Sequence, residues 1–206
     1  FTAVYIDGVR IDSQSTGGAP WESIPLAQID RIEVLRGPAA AVYGSDAIGG
    51  VVQLFTKKGE GKPTPFVSWG VGNRRTQDIQ AGISGSAGAF DYSVGASYQQ
   101  SSGFDVRTPN VKHNPDTDSY KTISGNVRLG WQIGEKHRLD LTALESEMDA
   151  GYDGFFYSPL APVDERNRYH LRTAGLTWTA QWTPEYRTRL SVTDSNLYQS
   201  QFKLVE

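Results

Sequence analysis

The chain has 206 residues, with 20 lysines and arginines against 23 aspartates and glutamates, a formal net charge of −3 and no cysteine. Without a basic surplus a nucleic-acid partner is disfavoured, and without cysteine there is no disulfide framework, thiolate zinc site or cysteine nucleophile. No run approaches about 18 apolar residues, so no transmembrane helix is encoded; a membrane barrel stays open, because its strands show lipid only at every second residue.

The N-terminus carries neither a charged n-region nor an apolar h-region, so no signal peptide is read at Phe1. Either a leader was cleaved or the chain begins part-way into a longer protein. Residues 1–62 form a first, mixed region. "AVYIDGVRID" reads as a hairpin-like unit turning at Asp7-Gly8. "SQSTGGAP" is a loop of small polar residues, and "PLAQID" can form one helical turn with Pro25 near its start. "RIEVLRG" and "GGVVQLFTKK" are β-rich runs joined by the turn-rich "PAAAVYGSDAIGG".

From residue 63 onward the pattern changes. Seven segments, near 66–73, 75–86, 90–99, 121–133, 137–148, 170–182 and 187–200, alternate apolar and polar residues. In 121–133, Ile123, Val127, Leu129, Trp131 and Ile133 share one face, and Thr122, Ser124, Asn126, Arg128 and Gln132 share the other. A soluble β-sandwich would also alternate. Three details favour a membrane barrel: strands longer than the ~5–6 residues usual in soluble sheets, Trp and Tyr near the ends of the apolar faces, and connections that alternate in length. Turns at 86–89, 134–136 and 184–185 are short, while loops 101–120 and 149–169 are long. Seven strands cannot close a plugged barrel without an unpaired edge in lipid, so the chain reads as part of a larger wall.

The run Ile29–Gly59, "IDRIEVLRGPAAAVYGSDAIGGVVQLFTKKG", resembles the end of the plug domain of TonB-dependent outer-membrane receptors. The matching pieces are Arg31–Pro38, Tyr43–Ser45, Ala47–Val52 and the closing Thr56-Lys57, with Asp7–Arg10 fitting upstream. Gly37-Pro38 and Gly49-Gly50 allow sharp reversals. Arg31, Glu33 and Arg36 either form ion pairs between plug and wall or lie on a solvated strand face. The resemblance implies a mostly β fold: the C-terminal part of an α+β plug (1–62), then the first ~7 antiparallel strands (63–206) of a transmembrane barrel of about 22. It further implies a Gram-negative outer-membrane location, contact with outer-membrane lipid and lipopolysaccharide, and active transport energised by TonB. TonB would be met through an N-terminal segment that this sequence does not show.

Acidic residues gather in the long loops: Asp105, Asp116 and Asp118 in 101–120, and Asp149, Asp153, Asp164 and Glu165 in 149–169. The loops share a rim, because strand, short turn and strand return the chain to the same side. Asp116 and Asp118 are two apart and point the same way in an extended segment. Such carboxylates either form a solvated acidic surface or hold a hard dication such as calcium, which takes several oxygen ligands from flexible loops. "SGFDVRTPN…NPDTDSY" and "YDGFFYSPLAPVDERN" are similar to extracellular loops of the cobalamin-transporting members of the family. That resemblance implies two calcium ions held by Asp105, Asp116, Asp118, Asp153 and Asp164, with Thr108 standing where the family has a further oxygen ligand. It also points to cobalamin contacts at the plug loop, Ser13, Gln14, Ser15, Thr16 and Gly17, and at Tyr152.

A ferric siderophore or haem receptor would carry the same plug motif; such receptors usually meet anionic ligands, and acidic loops suit those poorly. A hydrolase using Asp153 and Asp164 would need a fixed pair in a cleft, and both lie in loops. The plug motif speaks against a passive porin or adhesin. His113, His137 and His170 share no metal-ligand spacing and read as surface or strand residues.

Overall fold

The computed structural model describes residues 2–11, 18–44, 47–105, 116–153 and 163–205, without the side chains of 40, 163, 164 and 203–205. Strand β1 (Thr2–Ile6) turns into β2 (Val9–Arg10) through Asp7 and Gly8. Both turn residues have positive φ, 49° and 83°, as a two-residue type I′ hairpin requires. Two 3₁₀ turns follow, Trp21–Ser23 and Leu26–Gln28, the second being the helical turn expected after Pro25. β3 (Ile29–Arg36), the short helix α1 (Ala40–Tyr43) and β4 (Gly50–Thr56) complete the first unit.

These strands form one sheet in the order β2-β1-β4-β3. β1 runs parallel to β4, and the other two pairings are antiparallel. Gly50 opens β4 at φ 138°, and any side chain there would overlap the Leu35 carbonyl of β3. Only glycine fits this close approach.

The second unit is an antiparallel meander of seven strands: β5 (Thr64–Gly72), β6 (Thr76–Ala87), β7 (Phe90–Ser101), β8 (Tyr120–Ile133), β9 (His137–Tyr152), β10 (Val163–Gln181) and β11 (Arg187–Val205). At 9 to 19 residues, they reach or exceed the ~9–11 residues that cross the hydrocarbon as a tilted strand. No helix among the described residues is long and apolar enough to cross a membrane.

Parity sorts the side chains as the alternation predicts. Ile123, Leu129, Trp131, Leu141 and Leu176 stay exposed on the outer face, an apolar band of the kind that faces lipid. On the inner face Ser93, Ser124, Asn126, Ser146 and Thr173 are buried. Aromatic rings crowd the short-turn rim: Phe90 stacks on Trp131 at 5.5 Å, and His137 lies 5.8 Å from Trp178 and 5.4 Å from Trp182.

The core lies where the first sheet meets the inner face of the wall. Val4, Ile6, Ile11, Ile24 and Leu54 pack with Leu144 and Leu171. Beside it, a buried polar contact joins the two units. Asp7 Oδ1 accepts the Thr56 backbone N–H (3.0 Å) and Arg128 Nη1 (3.1 Å), and its Oδ2 accepts the Thr56 hydroxyl (2.5 Å). The side chains of Asp7 and Arg128 are 4% and 18% exposed, so the charges are kept from water and must satisfy each other.

Of the two readings left open for these charges, the exposed strand face fits Arg31 and Glu33, while the cross-unit ion pair is formed by Asp7 and Arg128. Arg31 pairs with Glu33 along its own strand, both 56% exposed, and lies over the Phe55 ring. The second long connection is shorter than 149–169, because β9 runs on to Tyr152 and β10 already begins at Val163. Past the apolar band both faces of these strands are polar, so alternation stops signalling them although their backbone pairing continues.

Candidate functional site at the rim

The rim opposite the short turns gathers the ends of β7, β8, β9 and β10. After Ser101 the chain reverses at Gly103, where φ is 66°. A returning segment, 116–119, then leads into Tyr120. It is held by backbone bonds: Asp118 N–H donates to the Phe104 carbonyl (3.3 Å), and Gly151 N–H donates to the Ser119 carbonyl (2.8 Å). The segment therefore lies across both the first loop and the end of β9.

This placement brings three aspartates together. Carboxylate oxygens of Asp116, Asp118 and Asp153 all lie within 4.8 Å of one another, and each residue is half-buried. With calcium–oxygen bonds of about 2.3–2.6 Å, two ligands of one ion can stand roughly 5 Å apart, so the three oxygens fit a single ion. They would supply three of its about 6–8 oxygens, leaving carbonyls and water for the rest. Three converging carboxylates also raise the cost of ionising each other, which a dication relieves.

The remaining expected site residues fall differently. Asp105 is half-buried at the end of the described part of the first loop, outside the 4.8 Å grouping. Asp164, on β10, pairs in the backbone with Leu204 of β11, and its side chain lies outside the described residues. Thr108 and Ser13, Gln14, Ser15, Thr16 and Gly17 lie outside them too. Tyr152 ends β9, half-buried, opposite Glu165 of β10.

Beside the triad stands a contact that sequence reasoning missed. Arg166 donates from Nε to Asp149 Oδ1 (2.8 Å) and from Nη1 to the Ser119 hydroxyl (3.2 Å). Arg168 Nη2 donates to the other Asp149 oxygen (3.0 Å). Asp149 and Glu165, expected in the loop, are strand residues, and Glu165 is buried. Counting about 11 residues up from His137 to cross the hydrocarbon leaves Asp149 beyond the hydrocarbon core. Burial alone would raise its pKa, but hydrogen bonds and charge from Arg168 and Arg166 outweigh it and hold the carboxyl below its ordinary range. Asp149 is thus committed to arginine rather than to a metal. Parity carries a partial signal here, since Arg166 and Arg168 share the outward phase of Leu176 and Trp178.

Below the rim, a cavity of about 760 Å³ opens between the 3₁₀ turns and the wall, lined by Trp21, Leu26, Asp78, Gln99, Tyr120 and Met148 among others. Its volume and its mixture of apolar and polar groups suit an organic ligand.

The family model described as TonB-dependent Receptor Plug Domain matches residues 1–51. A vitamin B12 transporter BtuB of Photobacterium profundum is 31% identical over 159 residues, covering 77% of this chain and 26% of that protein. One from Vibrio cholerae is 33% identical over 159 residues, covering 74% and 25%. The chain thus spans about a quarter of the length of these relatives. The ferric yersiniabactin uptake receptor FyuA of Yersinia pestis superposes with a TM-score of 0.72 at 21% identity, over 99% of this chain and 32% of that one; at that identity the likeness speaks for the fold. The matched family is one of receptors, not of enzymes. Plug motif, two-sheet fold and relatives agree: the chain belongs to the TonB-dependent receptors of the Gram-negative outer membrane, as plug domain and part of the barrel wall.

Proposed function

We propose that the receptor to which this chain belongs takes up cobalamin across the outer membrane, and that calcium orders its extracellular loops. The observation that carries this reading is the meeting of Asp116, Asp118 and Asp153 within 4.8 Å. They are three of the five aspartates that the resemblance to cobalamin transporters marks as calcium ligands. The relatives named as vitamin B12 transporters support the choice of ligand. Calcium would clip the returning segment 116–119 to the start of the loop after β9, closing a rim above the cavity. Tyr152 and the plug loop 13–17 would then meet the corrinoid, the ring offering flat apolar area and the loop hydrogen bonds. TonB would energise release of the ligand, and lipid with lipopolysaccharide would surround the outer apolar band.

The alternative is a receptor for a ferric siderophore or haem, as FyuA is by name. An acidic rim would repel an anionic chelate unless a cation neutralised it first. The test is competition: the full-length receptor is equilibrated with radiolabelled cyanocobalamin against ferric siderophores and haem. Displacement only by unlabelled cyanocobalamin supports the proposal. Displacement by an iron chelate, together with loss of growth on that iron source after gene deletion, overturns it in favour of the alternative.

A further inference from the structure

The three carboxylates do not converge by themselves. Asp116 and Asp118 belong to the connection between β7 and β8, whereas Asp153 follows β9. Something must hold the first segment against the second strand. Two glycines give the close approach. A Cβ at Gly103 would overlap the Asp118 carbonyl, and one at Gly151 would stand 3.2 Å from Asp118 Cα and 3.4 Å from its Oδ1. Gly103 also takes φ 66°, where other residues are strained. The segment is then pinned from the far side. Arg166 of β10 reaches the Ser119 hydroxyl with one nitrogen and Asp149 of β9 with another. Arg168 holds the second Asp149 oxygen, which fixes the carboxylate as a bidentate partner. One guanidinium therefore ties three chain segments together at the residue next to Asp118.

We propose that Arg166, Ser119 and Asp149 form a positioning clamp, seated on Gly103 and Gly151, that sets the affinity of the Asp116–Asp118–Asp153 cluster for a divalent cation. The clamp residues touch no ion themselves; they act by fixing where Asp118 stands. The inference rests on the calcium reading above and adds which residues pre-organise the site. Partners of this outer kind change metal affinity by about 10- to 100-fold when removed.

The experiment measures calcium binding to the purified full-length receptor by titration calorimetry, with thermal melting in chelator as a control for folding. Asp118→Asn is expected to abolish binding at the cluster. Arg166→Met is expected to weaken calcium by about 10- to 100-fold with an unchanged number of sites and an unchanged melting point in chelator. Arg166→Lys should recover part of the loss, and Ser119→Ala should move affinity in the same direction by less. Should Arg166→Met not fold, Ser119→Ala and Gly103→Ala decide the question, since both leave the Arg166–Asp149 pair in place. If the unmodified receptor binds no calcium, the calcium reading falls and the clamp with it. If the receptor binds calcium and Asp118→Asn loses it, but the clamp variants bind as the parent does, the clamp is overturned and the calcium reading stands. A lower melting point in chelator with unchanged calcium affinity would likewise overturn it, by showing a merely structural role.

Discussion

Asp7 holds its carboxylate at the point where the plug turn, the last plug strand and the wall meet. It is almost fully buried and accepts bonds from Thr56 and Arg128. Replacing Asp7 with Asn isolates the charge, because Asn also tolerates the left-handed φ that this position takes. The expected cost is about 1.5–3 kcal/mol of plug stability, the worth of hydrogen bonds to a charged group. It would be read as an earlier plug transition in denaturant titration of the receptor in detergent micelles. Combining Asp7→Asn with Arg128→Met should cost less than the sum of the single changes, because the double variant leaves no unpaired buried charge. Strict additivity would refute the pairing. In the sequence Asp7 is legible as a turn residue and as the start of the family-like run Asp7–Arg10, but not as an ion-pair partner. Its partner lies 121 positions away, and no local pattern links a hairpin turn to one arginine on a distant strand. The aspartate cluster was more legible, since a two-residue spacing in an extended segment already places Asp116 and Asp118 on one side. That Asp153 joins them depends on the reversal at Gly103, which the string "SSGFD" does not specify.

At the scale of the element, the strands obey a single rule over most of their length: one parity faces lipid, the other faces the plug. Leu129 and Leu141 pair directly across β8 and β9 and are 41% and 40% exposed on the outer face. Leu129→Arg is expected to destabilise the folded barrel by about 2–4 kcal/mol, the cost of a cation near the bilayer midplane. Gln100→Arg, near the outer end of the neighbouring β7 and opposite Lys121, should cost at most about 1 kcal/mol. Reversible folding of the receptor into phospholipid vesicles would measure both, and equal effects would show that these residues do not sit at different depths. Where one face meets hydrocarbon, alternation made the strands readable, and the seven segments stand close to where their pattern put them. It failed at 149–169 because β9 and β10 outgrow the bilayer there. Polar residues take over both faces, with Arg166 and Arg168 paired to Asp149 on the outward one, while the backbone ladder between Asp149 and Arg168 continues unbroken.

At the scale of the whole molecule, the chain joins two sheets of different logic. The mixed sheet of the plug carries the family motif, and Gly50 shows why part of that motif is glycine: β3 passes too close for any side chain. The wall supplies a rim of carboxylates above a cavity bounded by plug and strands. Plug and wall were both legible in the sequence, the first through its motif and the second through its period. The contacts between them were not, because they join residues that share no local pattern. If the rim cluster serves cobalamin uptake, calcium and cobalamin must bind with positive coupling, and the coupling must be reciprocal. The most direct measurement is a cyanocobalamin binding isotherm of the full-length receptor across a series of calcium concentrations, repeated for Asp118→Asn. Calcium is expected to tighten cyanocobalamin binding several-fold in the parent receptor and to leave the variant unchanged at its weak, calcium-free affinity. Binding of cyanocobalamin that ignores calcium, or no binding at any calcium concentration, would contradict it.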